Sequence, residues 1–237
     1  MPTIEELKLE KRRYGLSEII SDEELKKLQK GMPIQYIMGY IEFLNTKIKL
    51  DHKVLIPRYE TEEMVDLVLK KYVKNNNDFK VLDLCCGSGF IGLAIKVNAP
   101  KVQVTLSDID PIAIKQTREN AIDNLGSYTH VNIIQSDLFS NVNEKFDLII
   151  SNPPYLDENI ILNNDKDLKW EPQHALYSKD EGWYFYKKIL EHYKNYLNDD
   201  GILIFEINPL HINKWNELSN VKILNDINNK PRFAIIV

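Results

Sequence analysis

Short aliphatic runs alternate with helix-like segments along most of the chain after residue 78. The runs lack the alternation of polar and apolar positions that marks a half-exposed strand, and such continuous apolar strands are typical of a sheet buried on both faces. They are KVLDLCC (80–86), QVTLSD (103–108), VNIIQSD (131–137), FDLIIS (146–151) and GILIFEI (201–207). Alternating strands and helices predict an α/β fold with a doubly wound, mostly parallel sheet.

The segments around these runs complete the predicted fold. Asp110 and Pro111 are typical of a helix start and predict a helix over IAIKQTRENAIDN, and a second helix is predicted over FYKKILEHYKNYL. Thr61 is the predicted N-cap of a further helix, EEMVDLVLKKYV. The last segment predicts two strands joined by a polar loop that contains Pro231, as an antiparallel hairpin at the sheet edge. The predicted sheet therefore has seven strands.

The first 50 residues predict a small appendage, with the main domain over 51–237. Residues 1–31 are predicted to be helical, because Ser21 and Glu24 form a capping box and a glycine ends the last helix. The segment IEFLNTKIKL (41–50) has two short apolar runs around a polar centre and predicts a β-hairpin.

Composition and charge exclude several classes of protein. The chain has 237 residues, 43% of them hydrophobic, and a formal net charge of -5. This charge argues against broad attraction to nucleic acid or to an anionic membrane surface. The N-terminus is too charged for a secretory signal and no apolar run approaches the ~20 residues that span a bilayer, so a cytoplasmic protein is expected. Cys85 and Cys86 are adjacent, which matches neither a disulfide framework nor a zinc site, and no metal is expected.

A glycine loop, CCGSGFIG, follows the first aliphatic run. Gly87, Gly89 and Gly92 have the spacing found in dinucleotide-binding folds, but this spacing alone does not identify the ligand. Asp83 lies in the strand before the loop, and a carboxylate there disfavours a pyrophosphate and favours a cationic group. S-adenosylmethionine carries an ammonium and a sulfonium group and no phosphate, which favours it over a nicotinamide dinucleotide. Pairing with a buried partner is the competing role of Asp83.

Two further acidic residues follow the next predicted strands. Asp108 lies about 20 residues after the first glycines, where an acidic side chain accepts hydrogen bonds from ribose hydroxyl groups in NAD and S-adenosylmethionine binders alike. Asp137 and its neighbour Leu138 lie at the carboxyl edge of the predicted sheet, where they would flank an adenine. For both aspartates a helix cap or a turn is the alternative role.

The run FDLIIS ends in SNPPY, which predicts the reactive centre. The crevice of a doubly wound sheet lies where strand order reverses, so Asn152 should face the cofactor. An amide or aromatic amine nitrogen attacks a methyl group poorly unless acceptors hold its N–H groups. The Asn152 side-chain oxygen and the Pro153 carbonyl are two such acceptors, in a backbone that the prolines restrict. Tyr155 would form an aromatic wall, and a rigid turn with Tyr155 in the core is the alternative.

With these motifs the sequence resembles a known family, the class I S-adenosylmethionine methyltransferases that modify the glutamine of peptide chain release factors, whose fold is Rossmann-like. The resemblance covers most of the chain from Pro33 onward. NPPY alone would also fit DNA adenine and ribosomal RNA methyltransferases, whereas VLIPRYETE and EPQHAL are far more specific. The matching motifs, in the family's order, are PIQYIMGYIEF, VLIPRYETE, VLDLCCGSGFIGLAI, SDIDPIAI, QSDLFS, SNPPYL and EPQHAL.

The resemblance implies methylation of the side-chain nitrogen (N5) of the glutamine in a Gly-Gly-Gln loop, with S-adenosylmethionine as the cofactor. It assigns Asn152 and Pro153 to holding the glutamine amide as catalytic residues, with Pro154 and the catalytic Tyr155 beside them in the substrate site. The cofactor contacts that it implies are Cys85, Cys86, Gly87, Ser88, Gly89, Asp108, Leu138 and Asn152.

The segment PRYETE resembles the family's PRPETE. Arg58 and Thr61, with Glu60 and Glu62, would close over the methionine end of the cofactor, and a helix cap with a solvated first turn is the alternative. Tyr59 stands where the family commonly has proline.

The N-terminus departs from the family, whose members usually carry a longer helical domain that grips the release factor. Here 31 residues precede Met32. We expect the helix over 22–30 and the basic KLEKRR segment to cover one end of the sheet, because runs of charge are usually solvated faces.

Several alternatives stay open from sequence. The same cofactor could serve a glutamine of a ribosomal protein or an exocyclic base nitrogen, although the acidic balance argues against nucleic acid. A nicotinamide dehydrogenase would leave NPPY unexplained. A protein of another class, which binds a cofactor or partner without catalysis, would not need two acceptors beside a sulfonium. The favoured expectation is a monomeric enzyme whose partner is a release factor and which binds neither nucleic acid stably nor a membrane.

Overall fold

A computed structural model describes residues 2–159 and 168–237. The described helices are α1 (Ile4–Arg13), α2 (Asp22–Gln29), α3 (Ile34–Met38), α4 (Tyr59–Lys71), α5 (Phe90–Asn98), α6 (Pro111–Leu125), α7 (Tyr184–His192) and α8 (Ile212–Asn216). The described strands are β1 (Tyr40–Phe43), β2 (Thr46–Lys49), β3 (Lys80–Leu84), β4 (Gln103–Asp108), β5 (Asn132–Gln135), β6 (Phe146–Ser151), β7 (Leu156–Asp157), β8 (Tyr177–Ser178), β9 (Leu197–Glu206), β10 (Val221–Asn225) and β11 (Pro231–Ile236).

The main sheet has seven strands in the order β10-β11-β9-β6-β3-β4-β5. Strands β9, β6, β3, β4 and β5 are mutually parallel, and the last two strands add to β9 as an antiparallel hairpin with β10 at the edge. The predicted seven-stranded, mostly parallel α/β sheet is confirmed. From β3 the chain moves outward to β4 and β5 and then returns to β6 on the other side, so strand order reverses between β3 and β6.

Helices cover both faces of this sheet, which is why its central strands are apolar throughout. Val81 of β3 packs in the cluster that includes α4, α5 and α6, and the next residue, Leu82, packs in the cluster that includes α7 and α8. Both side chains are fully buried, as the alternating directions of a strand between two layers require. Among the described helices none is long and apolar enough to cross a membrane.

The hairpin β1–β2 is confirmed, and it is joined to the main domain through α6. Leu44 and Asn45 form its turn with φ of 46° and 58°, the left-handed pair that a two-residue hairpin uses. Asn124 and Asn120, one helical turn apart on α6, bond through their side-chain amides to the backbones of Lys47 and Lys49 at 2.7–3.2 Å. These bonds fix the hairpin against α6.

The N-terminal segment is only partly helical as predicted. The Ser21–Glu24 capping box is present, but the chain leaves the helix after Arg13 and re-enters it at Asp22. Lys11 holds the intervening loop, because its buried ammonium group donates to the carbonyl of Ile19 at 2.7 Å. The prediction of helix over 14–21 is therefore wrong.

Several predicted boundaries also move. Helix α4 begins at Tyr59 with Arg58 as its N-cap, so the prediction of Thr61 as the N-cap is wrong. Strand β3 ends at Leu84 because Cys85 takes a left-handed conformation, with φ of 63°. Strand β9, which the sequence predicts from residue 201, begins at Leu197.

One tight turn, 180–182, lies directly under the SNPPY segment. Asp180, Glu181 and Gly182 all have positive φ, of 56°, 55° and 87°. A Cβ atom at Gly182 would lie 2.2 Å from the backbone oxygen of Tyr155, so only glycine fits.

We expect Gly182→Ala to lower the free energy of unfolding by roughly 2–4 kcal/mol, from left-handed strain plus the backbone clash. Gly126→Ala is the matched control, because Gly126 has φ of 77° and nothing within 4 Å of an added Cβ. The control should lose only about 1–2 kcal/mol. Equal losses in urea unfolding would show that the contact with Tyr155 contributes nothing.

Candidate active site

The carboxyl ends of the parallel strands border a cavity of about 220 Å³. Asn152 and Pro154, which follow β6, lie opposite the loop after β3, and the segment 172–175 lies across the rim. The lining residues are Val54, Leu55, Leu84, Cys85, Gly87, Ser107, Asp108, Ile109, Asp110, Ala113, Ser136, Asp137, Leu138, Asn152, Pro154, Pro172, His174, Ala175 and Phe185. We call this space the first cavity.

A second cavity, of about 210 Å³, adjoins the first. It is lined by Leu55, Arg58, Asn152, Pro153, Tyr155, Leu156, Leu168, Ala175 and Leu176. The two cavities share Leu55, Asn152 and Ala175. Among the described residues Asn152 is the only shared one with a polar side chain, so a ligand in either space can reach the same carboxamide.

The glycine loop presents its backbone to the first cavity at only two positions. Cys85 and Gly87 line the cavity, whereas Cys86, Ser88 and Gly89 do not. Cys86 is buried against Thr117, and Gly89 is the N-cap of α5 with φ of 85° and no room for a side chain beside Thr117. These three residues pack against α6. Their contacts with a cofactor stay predictions.

Asp83 is buried behind the loop and does not line the first cavity. It accepts the backbone N–H of Gly92 at 2.8 Å, in the first turn of α5, and its other oxygen has no hydrogen-bond partner within the described parts of the chain. Burial raises the pKa of Asp83 to about 7. At neutral pH this carboxyl group is therefore substantially protonated. It carries too little negative charge to favour a cationic ligand in the way that the sequence predicted.

Asp108 does line the first cavity, at the end of β4. Its carboxylate accepts the backbone N–H of Gly87 at 2.8 Å and that of Asp110 at 2.9 Å, so it holds the glycine loop against β4. Burial raises its pKa. Each carboxylate oxygen can accept more than one hydrogen bond, so Asp108 keeps capacity for ribose hydroxyl groups. The turn role and the binding role are compatible here.

Another part of the first cavity's wall comes from the loop after β5 and from the N-terminus of α6. Asp137 and Leu138 both line it, and Leu138 has φ of 46°, a conformation in which its carbonyl accepts the hydroxyl of Ser136 at 2.8 Å. Asp110 caps α6 through Ile112 N–H and also bonds His174 at 3.0 Å. The contact with His174 ties the rim segment 172–175 to α6.

The SNPPY segment is held at both ends. Ser151 donates to the carbonyl of Leu84 at 2.6 Å, which joins β6 to β3 just before the motif. Asn208 donates to the carbonyl of Tyr155 at 3.3 Å just after its prolines. Pro153 faces the second cavity and Pro154 the first. Asn152 is thereby placed between the two spaces, as its predicted role requires.

Tyr155 lines the second cavity, and its hydroxyl group is bound to Glu206. The hydroxyl donates to Glu206 at 3.1 Å, and burial raises the pKa of Tyr155, so the proton is retained. Thr61 also donates to Glu206, at 2.6 Å, and accepts a hydrogen bond from the Asn152 amide at 3.2 Å. Thr61 lines neither cavity, so its predicted contact with the cofactor is not seen in the geometry.

The PRYETE segment is held over the site by a buried carboxylate. Glu171, only 1% exposed, forms an ion pair with Arg58 and accepts the backbone N–H of Ile56 at 2.9 Å. Arg58 lines the second cavity rather than the first. Tyr59, in the position where proline is common, bonds through its hydroxyl to Arg13 of α1 at 2.7 Å. The N-terminal helix is therefore connected to the start of α4.

Sequence reasoning missed Glu206 and the direct role of Glu171. Glu206 is a single acidic residue inside the aliphatic run GILIFEI, and an acidic residue in a strand buried on both faces is a signal of a polar partner. Glu171 is the first residue of EPQHAL, which was singled out only as a motif. Within the described ranges no group of three or more His, Cys, Asp or Glu residues is arranged to hold a metal ion.

Known proteins resemble the chain in sequence and in fold. A family model described as methyltransferase small domain matches residues 63–168. The release factor glutamine methyltransferase of Lactococcus lactis is 37% identical over 201 residues, covering 81% of this chain and 72% of that protein. The protein of the same name from Leptospira interrogans is 34% identical and covers 90% of this chain and 78% of its own length. The protein of the same name from Clostridium botulinum is 39% identical and covers 74% of this chain and 63% of its own length.

Solved structures show the same fold at low identity. A methyltransferase from Pyrococcus furiosus superposes with a TM-score of 0.58 at 17% identity, over 92% of this chain and 98% of that chain. The hMettl16 catalytic domain, in complex with an RNA hairpin, gives a TM-score of 0.60 at 10% identity, over 80% and 75%. These likenesses confirm the predicted Rossmann-like methyltransferase fold.

Asp83→Asn should become more stable relative to the wild type as pH rises from about 4 to about 7. The folded state holds the Asp83 proton more tightly than the unfolded state, so the wild type loses stability over that range while the variant, which has no proton to release, does not. Urea unfolding at several pH values measures this difference. A difference that stays constant with pH would contradict the raised pKa of Asp83.

Asp108→Ala should weaken the binding of S-adenosylmethionine about 10- to 100-fold, the loss expected for hydrogen bonds to a charged acceptor. Isothermal titration calorimetry measures the dissociation constant directly. Asp123→Ala is the control, because it removes the same charge from the exposed part of α6, where Asp123 pairs with Lys49. Equal affinities of the Asp108 variant and the wild type would remove Asp108 from the cofactor site.

Proposed function

Because the chain belongs to the release factor glutamine methyltransferase family, we propose that it methylates the side-chain amide nitrogen (N5) of the glutamine in the Gly-Gly-Gln loop of a peptide chain release factor, with S-adenosylmethionine as the methyl donor. The observation that carries the proposal is the position of Asn152, whose carboxamide borders both cavities. A methyltransferase needs a group at the junction of donor and acceptor, and the position of Asn152 between the two cavities supports this role.

The first cavity fits S-adenosylmethionine by its chemistry. Asp108, Asp110 and Asp137 line it, and no Lys or Arg of the described residues does. Such a lining suits a ligand with ammonium and sulfonium groups and disfavours a pyrophosphate. These three aspartates, and not the buried Asp83, favour a cationic ligand. When bound, the cofactor supplies an electrophilic methyl group. Asp108 would hold the ribose, and Leu138 would pack against the adenine.

The second cavity suits a neutral side chain with a planar amide. Its described side chains are apolar apart from Arg58, which is already paired with Glu171, Asn152, and the Tyr155 hydroxyl, which is bound to Glu206. The Asn152 oxygen and the Pro153 carbonyl would accept the two N–H groups of the glutamine. This grip orients the nitrogen for in-line attack, and it stabilises the positive charge that develops on the nitrogen before a proton leaves.

Tyr155 closes the side of this cavity. Its hydroxyl group is occupied by Glu206, so its ring rather than its oxygen would face the substrate. An aromatic face tolerates the growing positive charge at short range. The acceptors and the ring together favour catalysis over a protein that only binds a cofactor or a partner.

The release factor is preferred to nucleic acid as the partner. The net charge of -5 gives no general attraction to phosphates. The relatives with most of their length matched are named for release factor glutamine methylation, whereas the RNA-bound structural relative shares only the fold. A monomeric state and a cytoplasmic location remain predictions that accompany this proposal.

The function is tested with radiolabelled S-adenosylmethionine and a purified release factor, alongside a variant factor whose Gly-Gly-Gln is changed to Gly-Gly-Ala. We expect label in the first factor only, and digestion followed by mass spectrometry should locate the methyl group on the glutamine nitrogen. Ribosomal protein and RNA from the same cells serve as competing substrates. Equal labelling of the two factors, or preferential labelling of ribosomal protein or RNA, would contradict the proposed substrate.

A further inference from the structure

A buried carboxylate lies beneath the reactive asparagine without touching either cavity. Glu206, at the end of β9, is 1% exposed. Thr61 of α4 donates its hydroxyl to one oxygen of Glu206 at 2.6 Å, and Tyr155 donates to the other at 3.1 Å. The amide nitrogen of Asn152 donates to the same Thr61 hydroxyl at 3.2 Å. Four residues from three distant parts of the chain thus form one hydrogen-bonded set.

When Glu206 is ionised, the hydrogen bonds in this set have one direction. A hydroxyl group has one proton to donate, and that of Thr61 goes to Glu206, which leaves the oxygen of Thr61 able only to accept. It can therefore bond the NH₂ end of the Asn152 carboxamide and not the oxygen end. With its NH₂ end held by Thr61, Asn152 leaves its oxygen for a ligand.

The proposed reaction depends on that orientation, because a glutamine nitrogen offers N–H donors and needs acceptors. If the Asn152 carboxamide were rotated by 180°, its NH₂ group would face the N–H donors of the glutamine. The two ends of an amide are similar in shape, so packing alone hardly distinguishes them, and hydrogen bonding must do so.

We propose that Glu206 is a positioning residue that, through the hydroxyl of Thr61, fixes which end of the Asn152 carboxamide faces the substrate. This inference rests on the proposed function for its kinetic consequence and on the hydrogen-bond geometry alone for its structural one. This role gives a reason for a glutamate in the buried strand β9. A glutamine would fill the same space and could still accept from Tyr155, but it would not be restricted to accepting from Thr61.

The direct test replaces Glu206 by Gln and Thr61 by Val or Ser. In Glu206→Gln the new NH₂ group can donate to Thr61, which then donates to the oxygen of Asn152 and reverses the amide. We expect kcat for methyl transfer to fall about 100-fold in Glu206→Gln and Thr61→Val, with the dissociation constant for S-adenosylmethionine unchanged. Thr61→Ser keeps the hydroxyl and should retain most of kcat. Thr105→Val is the control for loss of a buried threonine hydroxyl away from the site.

A variant cycle separates positioning from general damage. Asn152→Ala should itself lower kcat about 100-fold or more while cofactor binding persists. Adding Glu206→Gln to Asn152→Ala should then cost little more, because the group that Glu206 positions is gone. A full further loss in the double variant, or a wild-type kcat in Glu206→Gln, would overturn the proposal.

A second measurement does not depend on activity. Exchange of the Asn152 side-chain amide protons, followed by NMR in the protein without substrate, should be slow in the wild type and in Thr61→Ser and about tenfold faster in Thr61→Val. Unchanged exchange in Thr61→Val would overturn the proposal even if the release factor proved not to be the substrate. Absence of methyl transfer by the wild type, with the exchange pattern as expected, would instead reject the proposed function alone.

Discussion

The adjacency of β3 and β6 is the constraint on which the site depends. Leu84 and Ser151 are register partners, and the Ser151 hydroxyl bonds the Leu84 carbonyl at 2.6 Å. Two loops of different chemistry therefore leave the sheet side by side, one a glycine loop that presents backbone and the other a proline-stiffened segment that presents an amide. If β6 lay elsewhere in the sheet, the first cavity and Asn152 would be separated, and neither loop could serve the other.

Buried carboxyl groups connect the elements around this junction. Asp83 joins β3 to α5, Glu171 joins the rim segment to the PRYETE segment, and Glu206 joins β9 to α4 and to the SNPPY segment. Burying such groups is costly unless hydrogen bonds satisfy them. Glu171 and Glu206 are satisfied by a backbone N–H group, an ion pair or hydroxyl groups from distant parts of the chain, whereas one oxygen of Asp83 has no partner among the described residues and its pKa is raised. The same interactions that offset the cost of burial therefore define the relative positions of the site's loops.

The sequence predicted the sheet and the place of the SNPPY segment at its carboxyl edge well, because both depend on local patterns. The aliphatic runs are apolar on both faces, and SNPPY and the glycine loop are contiguous motifs. The set formed by Thr61, Asn152 and Glu206 could not be read this way, since Thr61 and Glu206 are 145 positions apart. Thr61 was assigned as a helix cap, the commonest local use of threonine at that point. Asp83 was placed in the cavity because it precedes the glycine loop, although alternation along β3 directs it towards α5.

The central claim is that donor and acceptor meet at Asn152, and a crystal structure of the protein with S-adenosylhomocysteine and a Gly-Gly-Gln peptide tests it most directly. S-adenosylhomocysteine should bind in the first cavity and the glutamine side chain in the second. The glutamine nitrogen should lie about 3 Å from the Asn152 side-chain oxygen and the Pro153 carbonyl. A glutamine bound outside the second cavity, or one that contacts neither acceptor, would contradict it.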